Sequence, residues 1–148
     1  MIATNIRDLI QDWDERNILL RIKKEVDPRY ELGAIINFKK GRQPFLFEKV
    51  KGYDAPLIAG LGGERELMAD SLGIRTSQLT EKIIQSIVNP IPTREVTTGP
   101  VHDNIVMPPF AIDDMMAIPT YNEKDGGKYF VSGVMVVKDP DGSGNRYT

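Results

Sequence analysis

His102 is the only histidine in the 148 residues, and it stands beside Asp103. The two could form a local acid–base pair. A histidine-based metal cluster or a Ser-His-Asp triad needs more partners than one imidazole brings. The plainer reading is a histidine in a surface loop. Gly60-Leu61-Gly62-Gly63 leads from an expected strand into an expected helix, where backbone N–H groups can hold a phosphate. Arg65 stands where the third glycine of Gly-x-Gly-x-x-Gly belongs, and no Gly-Lys-Ser/Thr follows, so a tight strand–helix connection is the stronger reading. Asp139-x-Asp141-x-Ser143-Gly144 matches the first half of a calcium-binding EF-hand loop. A strand precedes it where a helix is required, and Pro140 sits inside it, so a polar hairpin turn explains the same residues better.

Carboxylates also cluster at Asp113-Asp114 and at Asp12, Asp14 and Glu15. Paired carboxylates can share a proton or bind a metal. The Asp12 group ends an amphipathic helix and reads as a solvated face. Asp113-Asp114 could cap a short helical turn before Met115-Met116. Lys23-Lys24 and Lys39-Lys40-Gly41-Arg42 are interleaved with acids and lack an aromatic platform, which argues against nucleic-acid binding.

The bulk composition narrows the class. A length of 148 residues suffices for one domain with a core. Hydrophobic content is 41%, charged content 27% and net charge −2, so no strong field attracts nucleic acid or an anionic membrane. There is no cysteine, which excludes disulfides, thiolate zinc sites and a cysteine nucleophile. No apolar run approaches the roughly 20 residues of a membrane span, and no secretory signal is visible, so a cytoplasmic location is expected.

Elements follow from periodicity and turn chemistry. Ile6, Leu9, Ile10 and Trp13 share one helix face, with Thr4 or Asn5 as cap and Asn17 as terminator. Ile18–Ile22 reads as a buried strand. Asp27-Pro28 reads as a helix start, followed by Leu32, Ile35 and Ile36 on its apolar side. Phe45–Val50 and Pro56–Ala59 read as strands, and Glu64–Leu72 as a helix that Gly73 ends. Thr76 or Ser77 caps a helix whose Leu79, Ile83, Ile84 and Ile87 line one side, and Asn89-Pro90-Ile91-Pro92 stops it. The proline-punctuated stretch up to Pro119 reads as a crossing segment. After the turn at Asp125-Gly126-Gly127, the β-branched and aromatic run Tyr129–Val137 reads as a strand. The class is α+β. Read from the residues alone, the chain has no complete active site; it is a soluble α+β domain with the beginning of a second sheet.

Three stretches carry a resemblance. They are Arg21–Ile35, then Pro44–Ile58 with Gly62-Gly63-Glu64-Arg65-Glu66 and Leu72-Gly73, then Ile118–Tyr129 through Lys138-Asp139-Pro140. In this order and spacing the chain resembles the N-terminal part of the UbiD-type carboxy-lyases, reversible decarboxylases that use prenylated flavin mononucleotide. The resemblance implies an N-terminal mixed α/β domain at 1–110. It implies that 111–148 is a linker and the first strands of a split β-barrel that binds the flavin. It further implies a divalent metal (Mn or Mg), potassium, a small carboxylic acid substrate that is aromatic or α,β-unsaturated, and a homo-oligomer in the longer parent. In that family the catalytic Glu-Arg-Glu set lies in the barrel, so no catalytic residue is assigned here. Asn145 is the counterpart offered for the family's metal-binding Asn, with Tyr147 or Thr148 as alternatives at that place; Arg146 comes too early for the cofactor-binding Arg.

Two classes of function are therefore expected to compete. The chain is either the N-terminal piece of such a decarboxylase, inactive alone, or a non-catalytic subunit or scaffold that pairs with a separate catalytic chain. The stop inside an expected strand favours the first.

Overall fold

The computed structural model describes residues 5–40, 42–92, 94, 96–131, 133–134, 137–138, 140–141 and 146–147. Helix α1 spans Ile6–Glu15. Asn5 caps it: its Oδ1 accepts from Arg7 N at 2.9 Å and Asp8 N at 3.0 Å. That satisfies two of the N–H groups a helix start leaves free. Asn17, at φ 58°, ends it in the left-handed conformation that asparagine tolerates. Both ends are as the sequence suggests.

A three-stranded sheet follows. Strands β1 (Leu20–Ile22), β2 (Phe45–Phe47) and β3 (Leu57–Ala59) lie in that spatial order. β1 and β2 are parallel, with Leu20 opposite Phe45; β2 and β3 are antiparallel, with Phe45 opposite Ala59. Helix α2 (Glu31–Phe38) lies in the crossover that a parallel pair requires. Phe45 and Phe47, two residues apart on the central strand, point the same way and stack at 5.8 Å between ring centroids. With Val26, Leu32, Val50 and Ala117 they form the core cluster.

Beyond the sheet, α3 (Arg65–Ser71) leads to a 3-10 turn, Thr76–Gln78, that runs into α4 (Leu79–Val88). A second 3-10 turn covers Pro100–His102, and α5 is one turn, Ile112–Met115. Asp113 and Asp114 lie within the first turn of α5. β4 (Val137–Lys138) pairs antiparallel with β5 (Arg146–Tyr147).

Two expectations are corrected. Helix α2 begins at Glu31, not at Asp27-Pro28, because Arg29 forms a parallel bridge with Thr120 and Tyr30 takes φ +71°. The run Tyr129–Val137 is not a strand from its start. Tyr129, Phe130, Val131, Gly133 and Val134 lie outside any strand, and among the described residues of this run pairing is found at Val137. Tyr129 N is instead bonded to Pro119 O at 3.1 Å, which closes the loop between these two residues. The helix expected around Leu79, Ile83, Ile84 and Ile87 is present as α4; of these four only Leu79 is buried, and Ile84 and Ile87 are 51% and 73% exposed. The whole is a mixed α/β fold around a small sheet; the two-residue ladder of β4 and β5 is what the described residues show of a second sheet.

Candidate functional site

A cleft of about 760 Å³ opens between α2, β3 with the following glycine loop, and residues 116–133. Each wall has a local reason. β3 is one of the two edge strands of the sheet, and all three of its residues line the cleft. Gly60 turns the chain out of β3 at φ +78°, and a Cβ there would come within 2.7 Å of Gln43 O, so only glycine fits. Gly33, in α2, is approached so closely by Tyr121 that a Cβ would lie 2.5 Å from its carbonyl oxygen.

The third wall is a strap, residues 117–129, laid across the start of α2. Thr120 O accepts from Tyr30 N at 2.8 Å, and Thr120 N donates to Pro28 O at 3.2 Å. Pro119 is fully buried and Ala117 nearly so. The strap turns through Asn122–Asp125, where Asn122 N donates to Asp125 Oδ2 at 2.9 Å. Its far end is fastened by Lys128 Nζ to Asp113 Oδ2 at 3.0 Å, and α5 by Tyr53 Oη to Asp113 O at 2.8 Å. Lys128 holds the Asp113 carboxyl below its ordinary value.

Chemically the cleft is apolar with a few polar tips. Tyr121 and Tyr129 meet at 5.2 Å between ring centroids. Burial pushes both phenols up, and the Asp125 charge adds to this at Tyr129. They remain neutral at physiological pH and can donate or accept hydrogen bonds, but not act as bases. Among the described residues no acid, lysine, arginine or histidine lines the cleft. A flavin phosphate therefore finds no cation among the described residues here, and α3 is a short helix of 7 residues. Among the described residues no group of three His, Cys, Asp or Glu could hold a metal. The described residues do not by themselves fit either group.

The residues singled out from sequence fall elsewhere. His102 and Asp103 are exposed in and just after a 3-10 turn, and among the described residues no side-chain bond joins them. Gly60–Gly63 is the tight strand–helix connection expected. Asp12 pairs with Arg16 at 2.6 Å and Asp14 with Arg21 at 2.6 Å, so this acidic face is committed to ion pairs. Arg21 also reaches Glu48 at 2.9 Å, joining α1, β1 and the end of β2. Asp141 lies in a turn; Asp139, Ser143, Gly144, the metal candidate Asn145 and Thr148 lie outside the described residues. Tyr147, the other alternative, lies in β5.

Three groups escaped sequence reading: Gly33, the Tyr121–Tyr129 pair, and the Trp13–Asp70–Arg16 cluster. Asp70 Oδ2 accepts from Trp13 Nε1 at 2.7 Å, and Asp70 is also paired with Arg16. For Gly33 a signal existed. Glycine within an apolar helix stretch is costly and implies a close neighbour.

Comparisons with known proteins agree with this fold. A family model described as the 3-octaprenyl-4-hydroxybenzoate carboxy-lyase N-terminal domain (UbiD_N) matches residues 10–87, just over half of the chain. The structure superposes on the UbiD-class enzyme HmfF from Pelotomaculum thermopropionicum in complex with FMN. The TM-score is 0.86 at 34% identity, covering 95% of this chain and 32% of that one. An evolved dimeric form of HmfF in complex with prenylated FMN gives a TM-score of 0.89, also at 34% identity, covering 97% and 34%. The phenolic acid decarboxylase of Sedimentibacter hydroxybenzoicus is 24% identical over 95% of this chain and 32% of its own length. The chain thus spans about a third of the relatives it matches. It belongs to the UbiD carboxy-lyase N-terminal domain family.

Proposed function

We propose that these residues are the N-terminal part of a UbiD-like reversible decarboxylase that acts on aromatic or α,β-unsaturated carboxylic acids with prenylated FMN. The observation that carries the reading is the 34% identity to HmfF along 95% of the chain, on the same fold. Residues 1–110 serve as the N-terminal α/β domain, and 111–148 lead into a split β-barrel. The flavin, when bound there, supplies the electron sink for breaking the bond to CO₂. Within the described residues the chain's own contribution is structural. It forms a packed body with an apolar cleft, neutral tyrosines and no charged group at the cleft to compete for substrate or cofactor. Asn145 is proposed as a ligand of the divalent metal, alongside potassium. The working protein is proposed to be a cytoplasmic homo-oligomer, and the 148 residues alone to be inactive.

The test is to express the complete reading frame carrying these residues in a host that makes prenylated FMN. The purified protein is expected to carry stoichiometric flavin absorbance and to release CO₂ from an aromatic or α,β-unsaturated acid. Failure to do both, with the protein folded and flavin supplied, contradicts the reading. The competing reading, a non-catalytic subunit paired with a separate catalytic chain, predicts a stop codon after Thr148 and a neighbouring gene for the barrel.

A further inference from the structure

We propose that Gly33 and the backbone of residues 28–30 form a seat for the strap 117–129, and that this seat fixes the direction in which the chain leaves the N-terminal body. Three observations converge on it. The first is the missing side chain at Gly33, where a Cβ would lie 2.5, 3.0 and 3.1 Å from the O, Cα and C of Tyr121. All three are backbone atoms, which cannot swing aside as a side chain could. The second is the set of main-chain bonds made by Tyr30 N to Thr120 O, Thr120 N to Pro28 O, and Tyr129 N to Pro119 O. The first two fasten the strap to residues 28–30, and the third joins the strap's own two ends.

The third is backbone strain. Tyr30 sits at φ +71°, ψ −42°, with Glu31 N bonded to Arg29 O at 2.9 Å. This is a γ-turn of the rare positive-φ kind, unfavourable for a bulky residue. Such a conformation persists only where its surroundings over-determine it. Here the bond from Tyr30 N to the strap and the packing of Arg29 over the Tyr30 ring, at 5.2 Å, do so. The Arg29–Thr120 bridge then acts as a strand pair one residue long, between segments some 90 positions apart.

The consequence is positional. Phe130, Val131 and Val134 follow the strap, and their side chains are 51%, 66% and 72% exposed, without a core of their own. Their placement is therefore set by the seat. On the decarboxylase reading, which this consequence rests on, Gly33 is a positioning residue for the flavin-binding part. The seat itself is testable without flavin, so its failure and the failure of that reading are separate results.

The test uses the 148-residue chain, which has no native cysteine to interfere with labelling. Spin labels at Gln11→Cys and Val131→Cys, both exposed positions, report the distance from α1 to the segment beyond the strap. The parent is expected to give one narrow distance. Gly33→Ala is expected to broaden it and to speed amide exchange at Tyr30 and Thr120 by about tenfold or more, as loss of the two bonds between strap and seat requires. Trp13, buried outside the core cluster, is expected to keep its emission maximum, showing that the body stays folded. A folded Gly33→Ala variant with a narrow distance and parental exchange overturns the proposal. Should Gly33→Ala unfold, Thr120→Pro decides by the distance and by exchange at Tyr30, since it removes the donor to Pro28 O and fixes φ in the strap while leaving α2 untouched. Global unfolding of both also overturns it, because the seat would then be core rather than joint.

Discussion

Asp70 shows how single residues hold the body together. Its carboxylate is bound by Arg16 and by Trp13 Nε1, and so joins α3 to α1. The hydrogen bonds from Arg16 hold its carboxyl below the ordinary aspartate value; burial opposes this and Trp13 assists. The folded value is depressed below an unfolded one of about 3.9. Its stabilisation is therefore complete above about pH 4 and is lost as pH falls through the depressed value. Asp70→Asn is expected to cost about 1–2 kcal/mol at pH 7, discounted for partial exposure. Urea unfolding at pH 7 and pH 3 checks this: the difference from the parent should shrink at the lower pH. The sequence could not show this cluster, because Trp13 and Asp70 are 57 positions apart and neither lies in a motif. Asn5 and Asn17 were legible, because caps and terminators act on their immediate neighbours.

At the scale of elements, β2 is the member on which the rest depends. It is the central strand, and both Phe45 and Phe47 are fully buried. Phe47→Ala is expected to destabilise the chain by about 3–5 kcal/mol through loss of transfer energy and creation of a cavity. A shift in the denaturant midpoint measures it. The three sheet strands were readable in sequence because each is a short β-rich run bounded by turn residues. Ile18–Ile22 contains the observed Leu20–Ile22 in just this way. The start of α2 was not readable from Asp27-Pro28. Their capping chemistry is local, whereas the bridge from Arg29 to Thr120 is a long-range pairing that overrides it. The same holds for Tyr129–Val134, where apolar, β-branched composition signals a strand but supplies no partner. For α4, Ile84→Lys with Ile87→Lys is expected to change unfolding free energy by less than about 0.5 kcal/mol, since both sites are exposed. Sedimentation velocity should show less self-association than in the parent, because the pair removes apolar surface.

For the molecule as a whole, ion pairs gather around α1 and the sheet, and exposed apolar residues recur along the crossing segment. Ion pairs of Arg16, Arg21 and Lys51 brace α1, the sheet and the turn after β2. Ile91, Val101, Ile105 and Met107 are between 73% and 91% exposed along the crossing segment. The family was legible in the sequence because Arg21–Ile35, Pro44–Ile58 and Ile118–Tyr129 keep their order and spacing. The cleft was not, since its walls come from three separated stretches and carry no charged motif. The central claim, a UbiD-like reversible decarboxylase, is tested most directly by isotope exchange. The complete reading-frame product, loaded with prenylated FMN, is incubated with ¹³C-bicarbonate and a panel of aromatic and α,β-unsaturated acids. We predict ¹³C incorporation into the carboxyl group of at least one acid, dependent on the flavin and absent with the 148-residue chain alone. No incorporation by the folded, flavin-loaded protein, or incorporation by the 148-residue chain without flavin, would contradict the account.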